Sequence, residues 1–208
     1  MNKGIYQQTA EVYNRLGKKY LDDSKKIIVP ARLPFTKSFA KNSLILDVGC
    51  GGGRDSKFFV KNGLQVIGID VSSVLINEAK KEVPDAVFSC EDILKSKFPN
   101  NYFDGIWAQA VLLHLKRADV PKAINKFYKI LKPGGLVHIQ VRKGKGEGFV
   151  KDILSGENAR FYTYFSKIEI EKILKDSGFL ITYSDILSDD LGRKGISWIS
   201  IGGKKKFN

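Results

Sequence analysis

One stretch constrains this chain more than any other: Leu44-Ile45-Leu46-Asp47-Val48-Gly49-Cys50-Gly51-Gly52-Gly53-Arg54, an apolar run that ends abruptly in glycine. Such a short apolar run is the signature of a strand buried on both faces, as in parallel sheets. The glycines that follow permit positive φ and let a ligand approach backbone N–H groups at a helix start. Asp70 closes the next apolar run, Gln65 to Ile69, and follows Gly49 by 21 residues. A carboxylate at that place can accept hydrogen bonds from both hydroxyls of a ribose. The two features together describe a nucleotide-type crevice.

The rest of the chain supplies the frame that such a crevice needs. Spacing predicts a helix over 5–21, with Val12, Leu16 and Tyr20 along one face. Pro30 and Pro34 interrupt the chain before a short helical stretch that ends near Phe39. A helix through Phe58, Phe59 and Val60 closes at Asn62-Gly63, and Ser72 or Ser73 caps another that runs to Val83. Strands are expected at 86–90, 103–108 and 136–141, with a helix from Val120 to Leu131 that stops at Lys132-Pro133-Gly134-Gly135. Residues 142–163 read as an irregular, mobile loop, 168–176 as a helix ended by Gly178, and 179–186 and 196–202 as closing strands. Alternating strands and helices give an α/β fold, a three-layer αβα sandwich on a seven-stranded, mostly parallel sheet. The short link between the last two strands makes them an antiparallel pair, so the sheet ends in an antiparallel C-terminal edge strand. The expected divisions are an N-terminal helical lid (1–43), a core (44–141), and a loop, helix and strand pair (142–208).

Composition narrows the classes. At 208 residues and 43% apolar content, one domain with a full core fits. Cys50 and Cys90 lie in no CxxC or Cys/His cluster, which argues against a disulfide framework or zinc site and suits a reducing cytoplasm. No apolar run approaches the ~20 residues that cross a bilayer, so no membrane partner is expected, and the first residues lack a secretion-signal core. The net charge is +13, distributed as +6 over 1–43, −2 over 44–115 and +9 over 116–208. Such an excess draws in anions or nucleic acid. Yet 28 of the 35 basic residues are Lys, whereas bidentate phosphate recognition favours Arg.

The glycine pattern also excludes a cofactor class. A dinucleotide fingerprint GxGxxG would place its third glycine at 54, where Arg54 stands. Asp47 on this turn would repel a pyrophosphate but suits a ligand bearing an amino group. The spacing indicates a nucleoside without phosphates.

Five segments then resemble, in order, the motifs of class I (Rossmann-like) S-adenosylmethionine-dependent methyltransferases of the small, standalone bacterial kind. They are residues 44–53, Val66-Ile67-Gly68-Ile69-Asp70-Val71-Ser72, Cys90-Glu91-Asp92-Ile93, Phe103-Asp104-Gly105-Ile106-Trp107-Ala108 and Leu131-Lys132-Pro133-Gly134-Gly135. The resemblance covers about half the chain and implies S-adenosyl-L-methionine as cofactor, with S-adenosyl-L-homocysteine as product. It implies that Asp47, Gly49 and Gly51 lie against the donor and that Asp70, with Val71 beside it, holds the ribose. Asp92 would accept from the adenine amino group with Ile93 near the ring, and the Ala108 backbone would meet the methionine amino group. No metal site is implied.

Methyl transfer from a sulfonium is an in-line displacement that alignment alone can speed, although a hydroxyl acceptor also needs a base. His114, in Gln109-Ala110-Val111-Leu112-Leu113-His114-Leu115, is the candidate base, against the reading of a structural histidine between leucines. His138 reads as structural. Tyr20 on the helical lid, with Arg142, Arg160 and Tyr162 beyond the fifth core strand, are the candidate acceptor-side residues. A small-molecule acceptor is the leading expectation. An RNA or tRNA acceptor predicts a basic rim from Lys116, Arg117, Arg142, Lys143, Lys145 and Arg160, and a non-catalytic donor-binding protein predicts degraded motifs. The acceptor and the oligomeric state are not written in the sequence.

Overall fold

The computed structural model describes residues 4–24, 27–151, 158–189 and 191–207. Helices α1 (Ile5–Ser24) and α2 (Arg32–Lys37) precede β1 (Leu44–Val48), α3 (Arg54–Lys61), β2 (Gln65–Asp70), α4 (Ser73–Glu82) and β3 (Val87–Cys90). Then come β4 (Phe103–Gln109), α5 (Val120–Ile130), β5 (Leu131–Arg142), β6 (Glu147–Val150), β7 (Arg160–Thr163), α6 (Lys167–Asp176), β8 (Leu180–Ser188) and β9 (Ser197–Lys204). Local chemistry explains the helix starts. The Ser72 hydroxyl accepts from Leu75 N at 3.2 Å, and Ser166 with Glu169 forms a reciprocal capping box on α6. Pro121 occupies the first turn of α5, whose Val120, Ala123, Ile124, Phe127 and Ile130 recur at helical spacing and are all buried.

The main sheet has the order β3-β2-β1-β4-β5-β9-β8, parallel from β3 through β5 and flanked by helices on both faces. Chain order reverses between β1 and β4, the place where open α/β sheets leave a crevice at the carboxyl ends of their strands. The expected antiparallel pair ends the sheet, but the last strand in sequence is not its rim. Strand β9 pairs antiparallel with both β5 and β8, so β8 forms the edge. One core cluster, with Phe103, Ile124, Phe127, Phe165 and Leu174 all fully buried, lies under α5 and α6. A second, around Phe35, Phe59 and Trp107, fills the opposite face.

Three expectations need correction. The stretch 142–163 is not an irregular loop, because β5 continues to Arg142 and β6 pairs antiparallel with β7 from Glu147↔Thr163 to Val150↔Arg160. All four residues of β7 are buried, so the polar–apolar alternation that announces a hairpin is missing; residues 152–157 lie outside the described part. Lys132-Pro133-Gly134-Gly135 falls inside β5, where the ladder to β4 shifts register between Phe103 and Gly105. Finally, α1 breaks at Gly17 (φ 47°, ψ −126°), so Leu16 and Tyr20 do not share one straight face.

Because Phe127 is fully buried at the centre of the larger cluster, Phe127→Ala should destabilise the fold by about 3–5 kcal/mol in denaturant titration. A loss under about 1 kcal/mol would mean that this side of the sheet is not a packed core.

Candidate functional site

The bend after β1 is built by hydrogen bonds to β2. Gly49 N and Cys50 N both donate to Ile69 O, at 2.8 and 3.1 Å. Gly51 N donates to the Asp70 carboxylate at 3.0 Å, and Ser72 N donates to its other oxygen at 2.8 Å. Gly49 and Gly51 are left-handed, at φ 70° and 54°. A Cβ on Gly49 would come within 2.6 Å of Val111, whereas one on Gly51 would project into open space. The bend is thus tight on one side and open to a ligand on the other.

Two lobes meet at this bend. The smaller, about 90 Å³, is lined by Gly51, Asp70, Val71, Asp92 and Ile93 together with Tyr6 and Thr9 of α1. The larger, about 600 Å³, is lined by Asp47, Gly52, Arg54, Gln140, Arg160 and Tyr162. Tyr13, Tyr20, Gly49, Gly51, Gln109, Ala110 and His114 border both lobes. Burial raises the pKa of Asp70, against the backbone N–H groups that hold its charge. Asp92 Oδ1 accepts from Leu94 N at 2.9 Å, so one of its oxygens caps the following turn.

Asp47 is buried and accepts from the Ser56 hydroxyl at 2.6 Å. Burial, and then the neighbouring Asp55 charge, push its pKa up to about 7. Asp55 behaves oppositely. Burial favours its neutral form, yet Arg54 at 3.0 Å, Arg32 at 2.9 Å and the Trp107 indole N–H at 3.0 Å hold its carboxyl below the ordinary range. One carboxylate of this pair is therefore fixed as an anion, and the other is poised to gain or lose a proton near neutrality.

The junction of the lobes carries a polar cluster that reaches across the fold. His114 Nδ1 lies 2.7 Å from Phe161 O. A carbonyl only accepts, so in the neutral imidazole Nδ1 holds the proton and Nε2 is the acceptor. Tyr13 OH, 2.8 Å from Nε2, therefore donates to it. Arg160 NH1 donates in turn to the Tyr13 oxygen at 2.6 Å, and its guanidinium lies over the Tyr13 and Tyr162 rings at 5.1 and 5.4 Å. Arg160 is 2% exposed, a cation buried beside the cleft. Tyr20 packs edge-on against Tyr13 at 4.9 Å.

The expected site residues divide accordingly. Asp47, Gly49, Gly51, Asp70, Val71, Asp92, Ile93, His114, Tyr20, Arg160 and Tyr162 all border the two lobes. Ala108 does not. Strand β4 runs on to Gln109, Ala108 is fully buried in the core, and Gln109, Ala110 and Val111 take its expected place. Arg142 lies over the rings of Tyr162 and Tyr164, at 5.1 and 5.7 Å, rather than lining either lobe. Tyr6, Tyr13, Gln109 and Gln140 also reach the cleft; they are polar side chains without motif spacing, placed there by tertiary contacts alone. Of the six cations expected to form a basic rim, Arg160 and Arg142 are buried. Arg117 is engaged by Glu169 and by the carbonyls of Gly146 and Tyr164. Lys116, Lys143 and Lys145 are exposed.

Comparison with known proteins agrees with this geometry. The family described as methyltransferase domain matches residues 46–139. The chain is 32% identical over 174 residues to the phosphoethanolamine N-methyltransferase of Plasmodium falciparum, covering 81% of this chain and 63% of that protein. It therefore spans somewhat less than two thirds of that relative's length. A solved S-adenosylmethionine-dependent methyltransferase from Methanosarcina mazei superposes with a TM-score of 0.74 at 22% identity, over 87% of this chain and 99% of that one. A phosphoethanolamine N-methyltransferase 2 from Haemonchus contortus, solved with phosphomonomethylethanolamine and S-adenosylhomocysteine, superposes with a TM-score of 0.68 at 18% identity, over 85% and 52%. The glycine bend, the strand order and the family match converge: residues 46–139 match a methyltransferase domain, and the chain has the fold of solved S-adenosylmethionine-dependent methyltransferases.

Proposed function

We propose that the protein is an S-adenosylmethionine-dependent methyltransferase acting on a small anionic acceptor that carries an amine, of the phosphoethanolamine kind. The observation that carries this reading is the Arg160–Tyr13–His114 cluster, with Tyr13 and His114 bordering both lobes, where a methyl group would have to cross. The name of the P. falciparum relative supports the acceptor class. So does a buried guanidinium beside the larger lobe, which favours an anion over a second cation.

The bend fits the donor. The open space at Gly51 and the Asp70 carboxylate beside it suit a ribose, with Val71 adjacent and Asp92 and Ile93 placed for adenine. Asp47, on the side of the larger lobe, would pair with the donor's ammonium. When bound, S-adenosylmethionine supplies a methyl group already activated by a positive sulfur. The task left to the protein is largely alignment, which can be worth ~7–11 kcal/mol. An amine acceptor must first lose a proton, and Tyr13 is arranged to help. Its oxygen takes the proton while its own hydrogen passes to His114 Nε2, and Phe161 O holds the imidazole in the tautomer this needs. Arg160 anchors the acceptor's anionic group and keeps the Tyr13 oxygen oriented. In this reading α1 is the lid, residues 44–141 hold the donor, and 142–208 complete the acceptor side.

S-adenosylhomocysteine at about 100 times its Kd should stabilise the fold by about 2.7 kcal/mol. Asp70→Ala should remove that gain and remain folded; no thermal shift in the wild type would end the assignment. A neutral Asp47 cannot pair with an ammonium, so donor affinity should rise as pH increases through about 7. Calorimetry of Asp47→Asn should give weaker binding with a flat profile, and the same slope in both proteins would place Asp47 outside the site. Labelled methyl should pass to phosphoethanolamine in preference to ethanolamine, and Tyr13→Phe should lower kcat by about 100-fold or more. Equal use of the two amines would remove Arg160 from acceptor binding.

A further inference from the structure

A second polar track enters the larger lobe from inside the sheet, and the proton-taking cluster does not use it. It begins at Tyr183 of β8. In the ladder, Gly202 of β9 lies between Tyr183 and His138 of β5. A Cβ on Gly202 would meet the Tyr183 ring at 2.2 Å. The bare backbone thus lets Tyr183 cross a whole strand and reach His138 Nδ1 at 2.5 Å. His138 is fully buried and stacks on Trp107 with ring centroids 3.8 Å apart. Its Nε2 lies 2.8 Å from Gln109 Oε1, and Gln109 Nε2 donates to Gln140 Oε1 at 2.8 Å. Gln109 and Gln140 are register partners on β4 and β5, and both line the larger lobe.

Donor–acceptor logic gives this track a direction. Gln109 Oε1 faces His138 Nε2 at 2.8 Å and an amide oxygen only accepts, so Nε2 is the donor and the Tyr183 hydroxyl donates to Nδ1. The imidazole, kept neutral by burial with its pKa down at about 3, must then carry its hydrogen on Nε2 and donate to Gln109 Oε1. That fixes the Gln109 amide with its NH2 toward Gln140, which in turn occupies the Gln140 oxygen. The group that Gln140 has left for the lobe is its NH2. Reversing the imidazole tautomer would reverse both amides and present an oxygen instead.

We infer that Gln140 is a specificity-determining residue that donates a hydrogen bond to an oxygen of the acceptor's anionic group, with Gln109, His138 and Tyr183 as positioning residues that set its polarity. The inference rests on the proposed reading of the larger lobe as the acceptor site. Its polarity, however, is a property of the protein alone.

The test has two arms. Histidine ¹⁵N spectra of the protein without acceptor should show His138 as the Nε2–H tautomer, and Tyr183→Phe should bring in the Nδ1–H form. A wild-type Nδ1–H signal overturns the inference whatever the acceptor proves to be. In the second arm, phosphoethanolamine is the probe and the protein is saturated with donor. Gln140→Glu should raise its KM about tenfold or more while S-adenosylhomocysteine affinity stays within about twofold, and Tyr183→Phe should shift KM in the same direction with a smaller effect. An unchanged KM in Gln140→Glu overturns the inference. If the wild type does not methylate phosphoethanolamine, the acceptor reading fails instead, and the tautomer measurement still decides the polarity of the track.

Discussion

The site depends on one backbone bend, in which two consecutive N–H groups after β1 share the Ile69 carbonyl and a third meets the Asp70 carboxylate. This ties the end of β1 to the end of β2 and fixes a carboxylate next to an opening where no side chain stands. Positive φ at Gly49 and Gly51 makes the bend possible, and Val111 packs so closely on Gly49 that a methyl group would not fit. Neighbouring elements then inherit their position from it: α3 starts directly after its N-cap Gly53, and Ser72, held by Asp70, caps α4.

Around that bend the protein separates two electrostatic jobs. Next to β1, Asp55 is held by cationic and indole donors as an anion, while Asp47, buried at the edge of the larger lobe, has its pKa pushed up to about 7. Around Arg160, one buried cation contacts a tyrosine–histidine pair, and a neutral imidazole deeper in the sheet contacts two glutamines. Buried polar groups of this kind cost stability unless each is satisfied, so chains that run from element to element are the natural solution. Helix α1 joins this economy. Tyr6 bonds Asp119, Tyr13 bonds His114 and Asn14 accepts from Ser72, so the helix over the crevice is held by polar contacts rather than by a deep apolar face.

Much of this architecture was legible in the chain because it follows from local rules. The run from Leu44 to Val48 could only be a buried strand, the glycines after it could only be a tight bend, and the alternation of strands with capped helices led to a parallel sheet. Asp70 was recoverable from spacing, since a strand end at that distance faces the bend. The β6–β7 hairpin was not legible, because β7 is buried on both faces and shows no alternation. Strand β4 runs one residue past Ala108, whose side chain is fully buried, and Gln109 and Ala110 line the crevice.

The sequence by itself determined the fold class, the glycine bend and the carboxylates that face it, for each depends on neighbours close in the chain. Only the tertiary structure decided which polar side chains share the cleft. Tyr13 reaches His114, Arg160 reaches Tyr13, and Tyr183 reaches His138 across Gly202 through contacts between residues far apart in sequence. No local pattern encodes such a meeting, and a hydrogen bond only a few ångströms long is set by how whole strands and helices pack.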